Sequence, residues 1–141
     1  MNILLAADGS EFTSKATEYV AAHPEWLQND AQLHVLHVES QVSTNRARAV
    51  LGSDAVDNYY KEESEAALAP AEKILREKNI PFQSSYLIGD VAEQIRDYVE
   101  KNGIGMIIMG SHGNGALRNL VMGSVATKVI ASTTVPVLLI R

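Results

Sequence analysis

A chain of 141 residues with 46% hydrophobic and 21% charged residues is long enough to fold as one domain, burying about two-thirds of its unfolded surface, and its composition is far from the disordered and membrane classes. The net charge of −5 argues against a generic nucleic-acid binder, because affinity for a phosphate backbone rests on clustered Lys and Arg that are not present here. The lack of cysteine removes disulfides, thiol catalysis and thiolate zinc sites, and an N-terminus with neither a basic segment nor a long apolar run predicts no signal peptide or membrane span, which makes the cytoplasm the expected compartment.

Taken in order, Ile3 to Ala7 is a nearly all-apolar run ending in Asp8-Gly9-Ser10, the pattern of a central parallel strand buried on both faces and stopped by turn residues. Ser10 is placed to cap a helix with Phe12, Ala16, Tyr19 and Val20 along one face, and Pro24 marks its end. Leu33 to Val38 is a second apolar run, and the helix between makes a right-handed parallel crossover the default connection. His34 and His37 interrupt this strand. Three apart, they point to opposite faces, which is poor geometry for sharing a metal, and they are read as structural.

From Gln41 to Asp54 the composition turns polar around Gly52, which predicts a mobile loop or a frayed helical segment. Asp54 to Asn79 is helical, with Tyr60, Ala67 and Ile74 at seven-residue spacing; Pro70 is expected to kink it, and its charges read as a solvated outer face. Phe82 to Ile88 has a weaker pattern and predicts an edge strand. Asp90 and Glu93 have the spacing of a capping box, ahead of a helix striped by Val91, Ile95 and Val99 and closed near Gly103. Ile104 to Met109 is the fourth strand, Val125 to Ala131 a last helical pattern, and Val135 to Ile140 a final apolar strand that no following helix shields. The alternation βαβαβαβαβ predicts one α/β unit, an open five-stranded parallel sheet with helices on both faces, Rossmann-like. In the order 3-2-1-4-5, strands one and four are neighbours where the order reverses, which brings Asp8 and Gly110 to the same edge.

The stretch from Gly110 to Ser124 joins the fourth strand to the last helix. Glycines at such a junction allow positive φ values and close approach of a ligand, and the first amides of a helix have no partner inside it, so the junction suits an anion. The frame is not a P-loop, since Gly115-Ala116 stands where Gly-Lys is required. It is not G-x-G-x-x-G either, since Arg118 replaces the third glycine. It does match G-x2-G-x9-G-S/T through Gly110, Gly113, Gly123 and Ser124. On this motif the chain resembles the ATP-binding branch of the universal stress protein family. The resemblance extends over nearly the whole length, through Ile-Leu-Leu-Ala-Ala-Asp-Gly-Ser, Leu-His-Val, Gly89, Ile-Ile-Met-Gly-Ser-His-Gly and the closing Val-Pro-Val-Leu-Leu-Ile-Arg.

The resemblance implies an ATP site formed by Ala7, Asp8, Val38, Met109, Gly110, Gly113, Gly123, Ser124 and Val125. Asp8 matches the acidic residue at the adenosine end, Val38 the position whose backbone recognises adenine, and the glycines with Ser124 the phosphate loop. The residue types agree with these roles. Small Ala6 and Ala7 leave room for a base, Asp8 can accept from ribose hydroxyls or an amino group, and Ser124 can donate to a phosphate. His112 is within the loop and a further candidate for phosphate contact. Asn119 stands where many members have a basic residue, with Arg118 adjacent, and Gly105 replaces a common acidic residue. Magnesium is expected with the triphosphate, although no carboxylate stands out as its ligand. The implied function is that of a regulatory dimer, paired through the C-terminal strand and acting on a protein partner that the sequence does not identify. The alternatives are a slow ATPase or nucleotidyl-transfer enzyme, for which no base stands out, and an interaction protein with an empty site, against which the intact motif argues.

Overall fold

The computed structural model describes residues 1–41, 44–113 and 121–141. Five strands, β1 (Asn2–Ala6), β2 (Leu33–Glu39), β3 (Gln83–Ile88), β4 (Ile104–Gly110) and β5 (Val137–Ile140), form one sheet in the order β3-β2-β1-β4-β5. Each paired neighbour is parallel, as the crossover pattern requires. Among the described residues five α-helices connect and cover the strands: α1 (Glu11–Ala21), α2 (Thr44–Leu51), α3 (Ser53–Glu77), α4 (Val91–Lys101) and α5 (Ser124–Ser132).

The central strand explains the layering. Ile3, Leu4 and Leu5 are fully buried although successive side chains of a strand leave opposite faces, so both faces of β1 must be covered. Ile3, Leu5 and Ala7 pack with Val20 of α1 and Leu68, Ala71 and Leu75 of α3 on one side. Leu4 packs with Ile95 and Val99 of α4 and Val129 of α5 on the other. The chain runs outward from β1 to β2 and β3, then crosses back to β4, so β1 and β4 flank the point where the order reverses. In open α/β sheets the space beyond the carboxyl ends of such a pair is where ligands bind.

Local chemistry sets the helix starts. The Ser10 hydroxyl accepts from the Thr13 amide at 3.4 Å, and the Asp90 carboxylate accepts from the Glu93 amide at 3.0 Å. The polar tract expected to be a loop or a frayed helix contains α2, a regular two-turn helix lying against α3. α3 continues through Pro70, whose missing amide leaves the Ala66 carbonyl without a donor from that position. Among the described residues no helix is long and apolar enough to cross a membrane.

His34 and His37 leave opposite faces of β2, as their spacing predicts. His34 is buried on the α4 side, with Nδ1 2.9 Å from the Tyr98 hydroxyl and Nε2 buried without a partner among the described residues. Burial lowers its pKa below 6.5, because the charged ring is poorly solvated there. The unfolded chain therefore takes up this proton at a higher pH than the folded chain. The stability is fully present above the unfolded value and is lost as the pH falls below it. Urea denaturation at about pH 7.5 and pH 5.5 should show His34→Phe losing less stability on acidification than the wild type. Equal losses would place the acid sensitivity elsewhere.

Candidate functional site

Beyond the carboxyl ends of β1, β2 and β4 lies a cavity of about 660 Å³, within the range typical of small-molecule sites. Ala7, Asp8, Val38, Met109, Gly110, Gly113, Gly123, Ser124 and Val125 all border it, so the nine residues that the resemblance implied lie around a single space. Arg118, Asn119 and Gly115 lie outside the described residues.

Asp8 forms a turn with one carboxylate oxygen and faces the glycine loop with the other. Its Oδ1 accepts from the Ser10 amide at 2.9 Å and from the Thr13 hydroxyl at 2.7 Å, a turn that joins β1 to α1. Its Oδ2 lies against Gly113, where a Cβ would come within 2.5 Å of it. A side chain at position 113 would therefore separate the β1 exit from the glycine loop.

The loop is closed at its base by hydrogen bonds rather than by unusual backbone angles. Ser111 N donates to the Ile140 carbonyl at 2.8 Å, extending the β4–β5 ladder, and Gly123 N donates to the Ser111 carbonyl at 2.6 Å. Glycines at this junction could have served either positive φ values or close approach. Gly123 has φ −73° and ψ 165°, an extended conformation open to any residue, and the described glycines with positive φ are Gly9, Gly52, Gly89 and Gly103. The requirement for glycine in the loop is close packing. A Cβ at Gly110 would stand 2.5 Å from Phe12 Cβ, and one at Gly123 would stand 3.1 Å from the Ser111 carbonyl oxygen and 3.3 Å from His112 Cα.

Gly123, not Ser124, is the N-cap of α5, and among the described residues no side chain caps this helix. Ser124 is the first helical residue and is exposed, so its hydroxyl is not in the N-cap position. Ser124, Val125 and Ala126 border the cavity, and their amides are the ones that lack acceptors within a helix. The N-termini of α1 and α4 are closed by Ser10 and Asp90, whereas that of α5 borders the cavity with no side-chain cap among the described residues.

Side chains beyond the nine implied residues complete the walls. The buried Ser111 places its hydroxyl 2.9 Å from His112 Nδ1, and the His112 ring packs 5.2 Å from Phe12. Glu63, read as part of a solvated face, borders the cavity from α3 together with Ala66 and Ala67, and Glu39 does so from the end of β2. His37, read as structural, also lines the cavity. Its Nδ1 is 2.7 Å from the Ala7 carbonyl oxygen and its Nε2 2.8 Å from Glu39 Oε2. The sequence signal for these groups was slight, a polar residue in an apolar strand and two alanines beside a charge. Among the described residues no lysine or arginine lines the cavity, and its acidic groups are Asp8, Glu39 and Glu63. Among the described residues, what suits an anion there is the set of backbone amides at the positive end of α5.

The family model described as "Universal stress protein family" matches residues 1–141. The universal stress protein YxiE of Bacillus subtilis is 31% identical over 146 aligned positions, which cover 99% of this chain and 97% of that protein. The solved structure of MJ0577, from Methanocaldococcus jannaschii, superposes with a TM-score of 0.82 at 27% identity, covering 99% of this chain and 94% of that one. A universal stress protein from Archaeoglobus fulgidus, solved in complex with dAMP, shares the fold with a TM-score of 0.70 at 19% identity, covering 100% and 98% of the two chains.

Proposed function

The chain belongs to the universal stress protein family, and from that premise and the geometry of its cavity we propose that it binds ATP and acts as a regulatory protein through nucleotide-dependent conformation or partner choice. The observation that carries this reading is the N-terminus of α5, without a side-chain cap among the described residues, which borders a cavity of nucleotide size at the reversal of strand order. Triphosphate oxygens would take the amides at the start of α5 and the Ser124 hydroxyl. The base would lie over Ala6 and Ala7 against the main chain of Val38, and the ribose would reach the Asp8 carboxylate. A nucleotide in the related Archaeoglobus protein supports an adenine nucleotide as the class of ligand.

Magnesium would arrive on the triphosphate. Among the described residues no group of three or more His, Asp or Glu side chains could hold a metal, so the ion's remaining ligands would be phosphate oxygens and water. The direct test is to denature the purified protein, identify released nucleotide by chromatography, and titrate the stripped protein with ATP by calorimetry. ATP in the supernatant or saturable binding is the expected result. A protein that releases no adenine nucleotide and takes none up would refute the reading.

The regulatory form we propose is a homodimer through β5. This strand is at the end of the sheet, paired with β4 alone, and its four residues are half-buried. Ile107 N donates to the Pro136 carbonyl and Ser111 N to the Ile140 carbonyl, so positions 136, 138 and 140 face β4 while the backbone groups of Val137 and Leu139 point outward. Such an open apolar edge invites pairing with a second copy about a two-fold axis. Leu138 and Ile140 pack into the core on the α1 side, so charged substitutions there would disturb the fold as well as the edge. Hydrogen exchange of the wild type avoids this. The Val137 and Leu139 amides should be protected at concentrations where sedimentation gives twice the monomer mass, and should lose protection on dilution. Unprotected amides in a dimer would locate the interface elsewhere.

A further inference from the structure

We infer that a second hollow, beside α5, is a subsite for a nucleoside joined to the bound nucleotide through its phosphate chain, so that the site as a whole takes a dinucleoside polyphosphate. The inference rests on the ATP-binding reading above.

The hollow has a volume of about 340 Å³, at the lower end of the range for small-molecule sites, and is bordered by the residues that follow β2 and β3. Ser40, Val91 and Val125 border both this hollow and the larger cavity, so the two adjoin. Gly89 donates its amide to the Glu39 carbonyl at 2.9 Å, which continues the β2–β3 ladder to the edge of the hollow.

Its lining has two unlike ends. On the α5 side is Lys128, four residues after Ser124 and three after Val125, hence on the same helix face and about 6 Å along the axis from Ser124. Helical side chains lean toward the helix start, so the Lys128 ammonium is carried back toward the amides that would hold the triphosphate. A phosphate following those on the amides would meet this charge. On the α4 side is Asp90, whose Oδ1 accepts from the Glu93 amide at 3.0 Å and whose Oδ2 remains an acceptor for ribose hydroxyls or a base amino group. Gln41 adds an amide, and Val91, Ala92 and Val125 add apolar surface between the two ends. A cation, an apolar wall and a carboxylate in that sequence complement a nucleoside phosphate, which is anionic at one end and carries a flat ring and hydrogen-bond donors at the other. A longer phosphate chain without the nucleoside would leave the apolar wall unfilled and face the Asp90 carboxylate with like charge.

The test titrates the full chain, stripped of nucleotide, with ATP and with diadenosine tetraphosphate by calorimetry, in the wild type, Lys128→Gln and Gln41→Trp. Both side chains are exposed and border the hollow but not the larger cavity, so the variants should fold and should bind ATP as the wild type does. The wild type should bind the dinucleotide at least about tenfold more tightly than ATP, at one ligand per chain. Removing the ammonium in Lys128→Gln, or filling the hollow in Gln41→Trp, should bring that ratio toward one. The two ligands are alike in charge at neutral pH, so Arg118 and the other groups of its loop act on both, and the ratio isolates the hollow. Equal affinities in the wild type, or a ratio unmoved in both variants, would overturn the subsite. So would a stoichiometry of one dinucleotide per two chains, which would put the second nucleoside in the cavity of another copy. A wild type that binds neither ligand would instead overturn the nucleotide reading, and the subsite with it.

Discussion

Valine at position 123 should abolish ATP binding in a chain whose sheet remains assembled. The φ of −73° and ψ of 165° at Gly123 are accessible to valine, so the backbone itself imposes no penalty. The obstruction is local: a Cβ would stand 3.1 Å from the Ser111 carbonyl oxygen and 3.3 Å from His112 Cα, both main-chain atoms of the loop. The branched methyl groups would reach further, toward the space in front of the Ser124 and Val125 amides. To make room, the 2.6 Å bond from Gly123 N to the Ser111 carbonyl must lengthen, and the loop base opens where the phosphates would sit. Loss of two charge-assisted hydrogen bonds at about 1.5–3 kcal/mol each would weaken binding at least about a hundredfold. Overpacking of this kind costs roughly 1–3 kcal/mol, which a folded chain can absorb. Calorimetry with ATP, alongside thermal unfolding followed by circular dichroism, checks both halves; a folded variant with wild-type affinity would remove this loop from the site. Gly110→Val is the poorer probe, because its Cβ would lie 3.1 Å from the Phe12 backbone carbon and displace α1.

Gly123 also shows where the sequence was informative and where it was not. The spacing of Gly110, Gly113, Gly123 and Ser124 marked the junction of β4 and α5, and the apolar runs from Ile3, Leu33, Ile104 and Val135, with the weaker one from Phe82, located the five strands, because hydrophobic periodicity reports burial directly. What the glycines are for was not legible. A missing Cβ looks the same in a sequence whether it permits a left-handed backbone or a close contact, and the contact partners Ser111, His112 and Phe12 are set by tertiary packing. The α2 segment was obscure for a different reason: its polar composition carries little periodic signal, and its packing partner is α3 rather than the sheet. Glu63 and His37 illustrate a third limit. A charge on an amphipathic helix reads as solvated, and a histidine in a strand reads as core, unless the shape of the space between them is known.

Asp8 offers the sharpest separation of architecture from binding, because its two carboxylate oxygens have different surroundings. Asp8→Ala removes the acceptor for the Ser10 amide and the Thr13 hydroxyl, bonds of 2.9 and 2.7 Å at the start of α1. With each partly buried donor left unpaired at about 1 kcal/mol or more, the variant should lose roughly 2–4 kcal/mol of stability as well as affinity. Asp8→Asn keeps an oxygen for both donors and replaces the charge that lies against Gly113 with an amide, so its stability should stay within about 1 kcal/mol of the wild type. The affinity of this second variant then decides what the carboxylate does. As an anionic acceptor for ribose hydroxyls it should be worth about tenfold, and ATP and adenosine should weaken alike, since the contact precedes the phosphates. As a turn former alone it would do the opposite for ATP, because removing a negative charge from a wall shared with Glu39 and Glu63 favours a polyanion. Calorimetric titration of Asp8→Asn with both ligands reads the difference. A variant that binds ATP as tightly as the wild type, or more tightly, would confine Asp8 to the turn between β1 and α1.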